Sequence, residues 1–106
     1  AYETYFTPQR NDGFKPARNT VQAALPLGKR MSLSAILYTG PAKLEGLTPP
    51  GVTNVVPLTP AIRTPQRVFI AGILGRDSNT GAIPASPEAQ LDLCFTRLAN
   101  VLAPAK

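Results

Sequence analysis

The sequence predicts a mixed domain in which short strands precede one full helix packed on them, and three stretches carry that expectation. Two alternating runs joined by Leu25-Pro26-Leu27-Gly28-Lys29 predict an antiparallel hairpin over 18–38. The uninterrupted apolar run in Val68-Phe69-Ile70-Ala71-Gly72-Ile73-Leu74 predicts a buried strand. Ser86-Pro87, followed by apolar residues at helical spacing, predicts a helix with one face on the sheet.

Composition narrows what such a domain can do. The 106 residues suit one domain with a modest core. No apolar run approaches the ~20 residues of a transmembrane helix, and no signal-peptide pattern opens the chain, so a cytoplasmic location is expected. The single cysteine, Cys94, excludes an intrachain disulfide. The absence of histidine excludes the Ser-His-Asp triad, the Cys-His pair and His-based metal sites. Chemistry is left to carboxylates, arginine, backbone donors and water. The net charge of +5 comes from basic residues scattered along the chain without a cluster, so a small acidic ligand is a better expected partner than nucleic acid.

In chain order, residues 1–6 read as the tail of a helix with Tyr2, Tyr5 and Phe6 on one face, and Thr7-Pro8 stops it. Residues 9–14, with Asn11-Asp12-Gly13, read as a loop. Pro16 presets an extended approach to the first strand, 18–24. There Arg18, Thr20 and Gln22 share one face, against Asn19, Val21 and Ala23. At the mouth of that strand the Arg18 guanidinium offers a fork of donors suited to a carboxylate or phosphate, or is simply solvated. In the second strand, 30–38, Met31, Leu33, Ala35 and Leu37 oppose Ser32, Ser34, Ile36 and Tyr38. Segment 40–51 ends in Thr48-Pro49-Pro50-Gly51 and reads as a connection dividing the chain into 1–39 and 52–106.

Beyond it, 52–56 reads as a short strand and 59–63 as another extended piece, whose Pro60 argues for an edge or an irregular start. Thr64-Pro65-Gln66 turns into the strand at 67–74, expected to be buried on both faces, where Gly72 admits close approach of backbone or ligand. Asp77-Ser78-Asn79-Thr80-Gly81 is a turn. The helix then has Ser86 as N-cap, Pro87 at its first position and Glu88 and Asp92 toward its positive end, and Pro104 ends it. Cys94, on its apolar face with Leu91, Phe95, Leu98, Val101 and Leu102, reads as an inert core thiol.

Two groups of these motifs resemble one family, the Rid proteins (YjgF, also called endoribonuclease L-PSP). Val68-Phe69-Ile70-Ala71-Gly72, Asp77 to Pro84, Glu88-Ala89-Gln90 and Leu98-Ala99-Asn100-Val101-Leu102 are similar to the family's front half. Tyr2-Glu3 with Tyr5-Phe6, Pro16-Ala17-Arg18-Asn19-Thr20-Val21 and Ala24-Leu25-Pro26-Leu27-Gly28 are similar to its back half. Here the halves stand in reversed order, back half at about 1–39 and front half at about 52–106. The strand and helix start that join them in the family are absent. A segment cut across two tandem domains, a permuted form completed by another chain, and a processed product are the three explanations.

The resemblance implies an α+β fold of chorismate-mutase-like type. It comprises a mixed sheet with helices on one face, three domains around a central barrel, and ligand clefts between subunits. It also implies hydrolysis of enamines and imines such as 2-aminoacrylate to 2-oxo acids, with no cofactor. Arg18 matches the family arginine that clamps the substrate carboxylate, and Thr20 stands where deaminases often carry a cysteine. Leu58 replaces a pocket tyrosine, and Ser34 replaces the glutamate that positions the attacking water. Serine cannot accept a proton in that role, and a general base contributes ~10²–10⁴-fold. Two expectations follow: a carboxylate-binding protein whose imine deamination is weakened, or a non-catalytic module for binding or assembly in a larger tandem-Rid enzyme of the diphthamide-ligase type. A homotrimer, or another Rid-like chain completing the sheet, is the expected assembly.

Overall fold

The computed structural model describes residues 2–7, 13–50 and 57–105. The strand expected at 52–56 and the loop's first part, 9–12, lie outside them. The described residues form a small α+β arrangement of three short strands and one long helix. A single-turn helix α1 (Tyr2–Tyr5) opens the chain. Strands β1 (Glu45–Leu47), β2 (Ala61–Arg63) and β3 (Val68–Ile70) make an antiparallel sheet in the order β1-β2-β3. Helix α2 (Pro87–Leu102) packs its C-terminal end beneath it, and a 3₁₀ turn, Ala103–Ala105, follows.

The register is set by Thr64. Its hydroxyl accepts from Arg67 N at 3.0 Å and donates to Arg67 O at 3.1 Å, while Thr64 N donates to the same carbonyl at 2.8 Å. The β2–β3 turn is thereby closed, and Ile62 falls opposite Phe69. Strand β1 adds Leu47 opposite Ala61. Glu45 meets Arg63 across the strands, and Arg63 also reaches Ala105 O at 3.3 Å. The core is small: Leu47, Ala61 and Val101 form a buried cluster, against which Val68, Ile70 and Ala105 pack.

Strand β1 lies inside the segment that reads as a connection. Three residues with a central glycine give almost no period-2 signal. Gly46 serves here to admit an aromatic, since a Cβ on it would stand 3.2 Å from Phe14 Cγ.

The hairpin expected over 18–38 is not formed. Residues 19–25 and 29–39 contain no strand, and between them lies a 3₁₀ turn, Pro26–Gly28, with Leu27 and Gly28 both at positive φ. Val21, Met31, Leu33, Ile36 and Leu37 are all exposed. A two-stranded hairpin is marginal in water unless its apolar face is covered, and nothing within the described residues covers this one. The run at 67–74 needs correction as well. Only Val68–Ile70 is strand, its residues are half-buried, and Leu74 is exposed.

Helix α2 begins as expected. Ser86 Oγ accepts from Ala89 N at 3.1 Å, and Pro87 fills the first position. Its apolar face is covered only in part: Val101 is buried and Cys94 half-buried, with Sγ 3.9 Å from Ile73 O, but Leu91 and Phe95 are exposed. The helix is also tied to the backbone after β3. Gln90 Nε2 donates to Pro84 O at 2.7 Å, and Arg97 reaches the carbonyls of Leu74 and Arg76. A Cβ on Gly75 would stand 2.5 Å from Gln90 O. Gly75→Ala is therefore expected to cost ~1–3 kcal/mol through forced separation of backbones, read as a lower thermal midpoint.

The Asp77 turn forms as expected. Asp77 Oδ1 accepts from Thr80 N at 2.7 Å, Asn79 N at 2.9 Å and Thr80 Oγ1 at 2.9 Å, and Gly81 takes φ 75°. These bonds, first that from the Thr80 backbone, hold the Asp77 carboxyl below its ordinary pKa. A depressed carboxylate supports the turn fully above its unfolded pKa, and the support is lost as pH falls through the lowered value. The Asn79 and Thr80 amide resonances are expected to shift below about pH 4, the ordinary Asp range. They should stay flat in Asp77→Ala.

Candidate functional site

Arg18 is held from both sides by its neighbours' backbone. Pro16 O accepts from Thr59 N at 3.3 Å, and Arg18 O accepts from Gly72 N at 3.1 Å. The extended stretch after Pro16 is thus pinned between the loop before β2 and the exit of β3. Gly72 allows the approach: a Cβ there would lie 3.0 Å from Asn19 Oδ1. Two residues singled out from sequence, Arg18 and Gly72, are brought together in this way.

The Arg18 side chain runs to α1. Its Cζ lies 4.6 Å from the centroid of the Tyr2 ring. Tyr2 in turn packs on Phe6, centroids 4.7 Å apart, and Phe6 makes an edge contact with Tyr5 at 5.0 Å. Lys15 Nζ donates to Phe6 O, bringing a second cation to the same aromatic cluster. Arg18 is half-buried, and its Nε is shielded from solvent with no hydrogen-bond partner. The Tyr2 hydroxyl is shielded and unpartnered too. Among the described residues the ion pair is Arg63–Glu45, so the Arg18 charge is left without a carboxylate. Orphaned polar groups of this kind are uncommon in folded proteins and mark a place where an acceptor is wanting.

The other expected residues fall around this point or away from it. Thr20 is exposed, two residues beyond Arg18. Leu58 is half-buried and lines a cleft of about 390 Å³ with Phe14, Lys15, Thr48 and Thr59. Lys15 and Thr59 connect that cleft to the Arg18 cluster. Ser34 is exposed in the segment where the hairpin was expected. A different cleft, about 350 Å³, begins at Ile36 and continues past Tyr38 to Arg67 and Phe69.

Tyr2 and Lys15 were missed as site residues. The helical spacing of Tyr2 gave only a face, and a cation–π contact across sixteen positions has no local signature. Among the described residues no three His, Cys, Asp or Glu side chains gather as metal ligands, and no helix is long and apolar enough to cross a membrane. No family model, curated protein or solved structure matches this chain.

Proposed function

We propose that this chain binds a small carboxylate-bearing ligand at Arg18, in a Rid-like frame. One observation carries the reading. The guanidinium is laid on the Tyr2 ring, its backbone fixed at Gly72 and its charge unmatched by any carboxylate among the described residues. A planar fork so held is suited to a carboxylate, and the ring restricts the side chain before the ligand arrives. Lys15 adds positive charge beside the adjoining cleft. The ligand class is that of 2-oxo and imino acids, the Rid-type sheet and three-fold assembly go with the same resemblance, and so does a cytoplasmic location.

A binding module without efficient turnover is favoured over a deaminase. Ser34, at the position of the water-activating glutamate, carries no base and is exposed. Pyruvate is expected to raise the thermal midpoint, while enzymatically generated 2-aminoacrylate should not be converted faster than in buffer. No shift with pyruvate or other 2-oxo acids would overturn the binding reading. Rapid pyruvate release that disappears in Arg18→Ala would overturn the non-catalytic one.

A further inference from the structure

The cleft of about 350 Å³ that runs from Ile36 to the β2–β3 turn shares no lining residue with the Arg18 cluster. Ile36 and Leu37 give it apolar walls, Tyr38 and Phe69 bring two aromatic rings, and Gln66 and Arg67 belong to the turn. No Asp or Glu lines it, so its formal charge is that of Arg67.

Arg67 and Arg63 use their charges differently. Arg63 is committed to Glu45 and to Ala105 O. The Arg67 guanidinium makes no ion pair or hydrogen bond among the described residues, while its backbone is clasped by Thr64 through both N and O. The side chain thus starts from a fixed point with its donors uncommitted. Tyr38 is placed by the missing side chain of Gly40. A Cβ there would stand 2.2 Å from the Tyr38 hydroxyl oxygen and 2.4 Å from its Cζ, so the ring occupies space that only glycine leaves. Phe69 is held by its pairing opposite Ile62.

We propose that this cleft is a second binding site and that it takes a small aromatic carboxylate. The ring of the ligand lies against Tyr38 and Phe69, and its carboxylate is held by Arg67, with the Gln66 amide as a further donor. Apolar walls, aromatic faces and one fork of donors suit that chemistry, and the volume is at the low end of ligand clefts, which limits the occupant to about one ring. Pyruvate has the charge but no ring to cover Ile36 and Leu37, so the two sites select differently. The proposal does not depend on ligand binding at Arg18.

The test is a titration of the full, isotope-labelled chain with phenylacetate, followed by NMR. The resonances of Tyr38, Arg67 and Phe69 are expected to shift together and to saturate, and saturating pyruvate should leave those shifts in place. Arg67→Ala is expected to weaken phenylacetate about fivefold, the upper range for an exposed ion pair. The Thr64 clasp uses only the backbone of Arg67, so the turn is retained in that variant. Gly40→Ala displaces the Tyr38 ring and should weaken binding as well, although it removes no group of the cleft. Cyclohexylacetate, with the same charge and no aromatic ring, should bind more weakly than phenylacetate. No saturable shift at the three residues, shifts confined to Arg18 and its neighbours, or displacement by pyruvate would overturn the proposal. So would an unchanged affinity in Arg67→Ala, or equal binding of cyclohexylacetate.

Discussion

Leu47→Ala is expected to destabilise the protein by about 2–5 kcal/mol, the usual cost of emptying a leucine site in a packed core. Leu47 is 3% exposed and touches the points where β1, β2 and α2 converge. Its neighbours in the cluster are small: Ala61 has no side chain to swing into the space, and Val101 is fixed on α2. The site can therefore collapse only by moving β1, an edge strand of three residues. Domains hold only ~5–15 kcal/mol in total, so a loss of this size can remove the cooperative transition. Urea unfolding followed by circular dichroism reads the effect. Ile83→Ala, at a side chain 68% exposed, is the control and should stay within ~0.5 kcal/mol. An equal response in the two variants would mean that the Leu47 cluster is not the core.

What was legible in the sequence follows how local the determining physics is. Helix α2 was legible because Ser86, Pro87 and Glu88 write its start within three residues and the 3.6 period does the rest. The Asp77 turn was legible for the same reason, since its bonds span three positions. Strand β1 was not, because its pairing with β2 comes from sixteen residues away and Gly46 carries no side chain to alternate. The stretch at 30–38 shows the converse. Its alternation from Arg30 to Tyr38 is genuine, yet alternation states only that one face wants covering and not that the cover lies in the same chain. At the site, Arg18 and Gly72 were each visible from residue type, but their juxtaposition rests on one backbone bond that no spacing encodes. Tyr2 stayed hidden because its role is set by where α1 packs.

Arg18→Ala is expected to weaken pyruvate binding by about thirtyfold or more, given the ~2–5 kcal/mol cost of truncating one partner of a buried charge pair. The half-buried guanidinium of this chain lies toward the lower end of that range. Arg18→Lys should recover only part of the loss. An ammonium keeps the charge, but it cannot present two parallel donors to a carboxylate, and it would not lie flat on Tyr2. Tyr2→Leu separates the contribution of the platform from that of the fork: it removes a cation–π contact worth ~0.5–2 kcal/mol and leaves the donors in place. Isothermal titration of the four proteins should therefore rank wild type, Tyr2→Leu, Arg18→Lys and Arg18→Ala in falling affinity. Equal affinity in wild type and Arg18→Ala would place the ligand elsewhere. A Tyr2→Leu variant as weak as Arg18→Ala would mean that the ring's packing on Phe6, and not the fork, holds the site together. The order of the two middle variants decides between a clamp built from donors and one built from an aromatic cluster, which is the distinction that the shielded, unpartnered Nε of Arg18 raises.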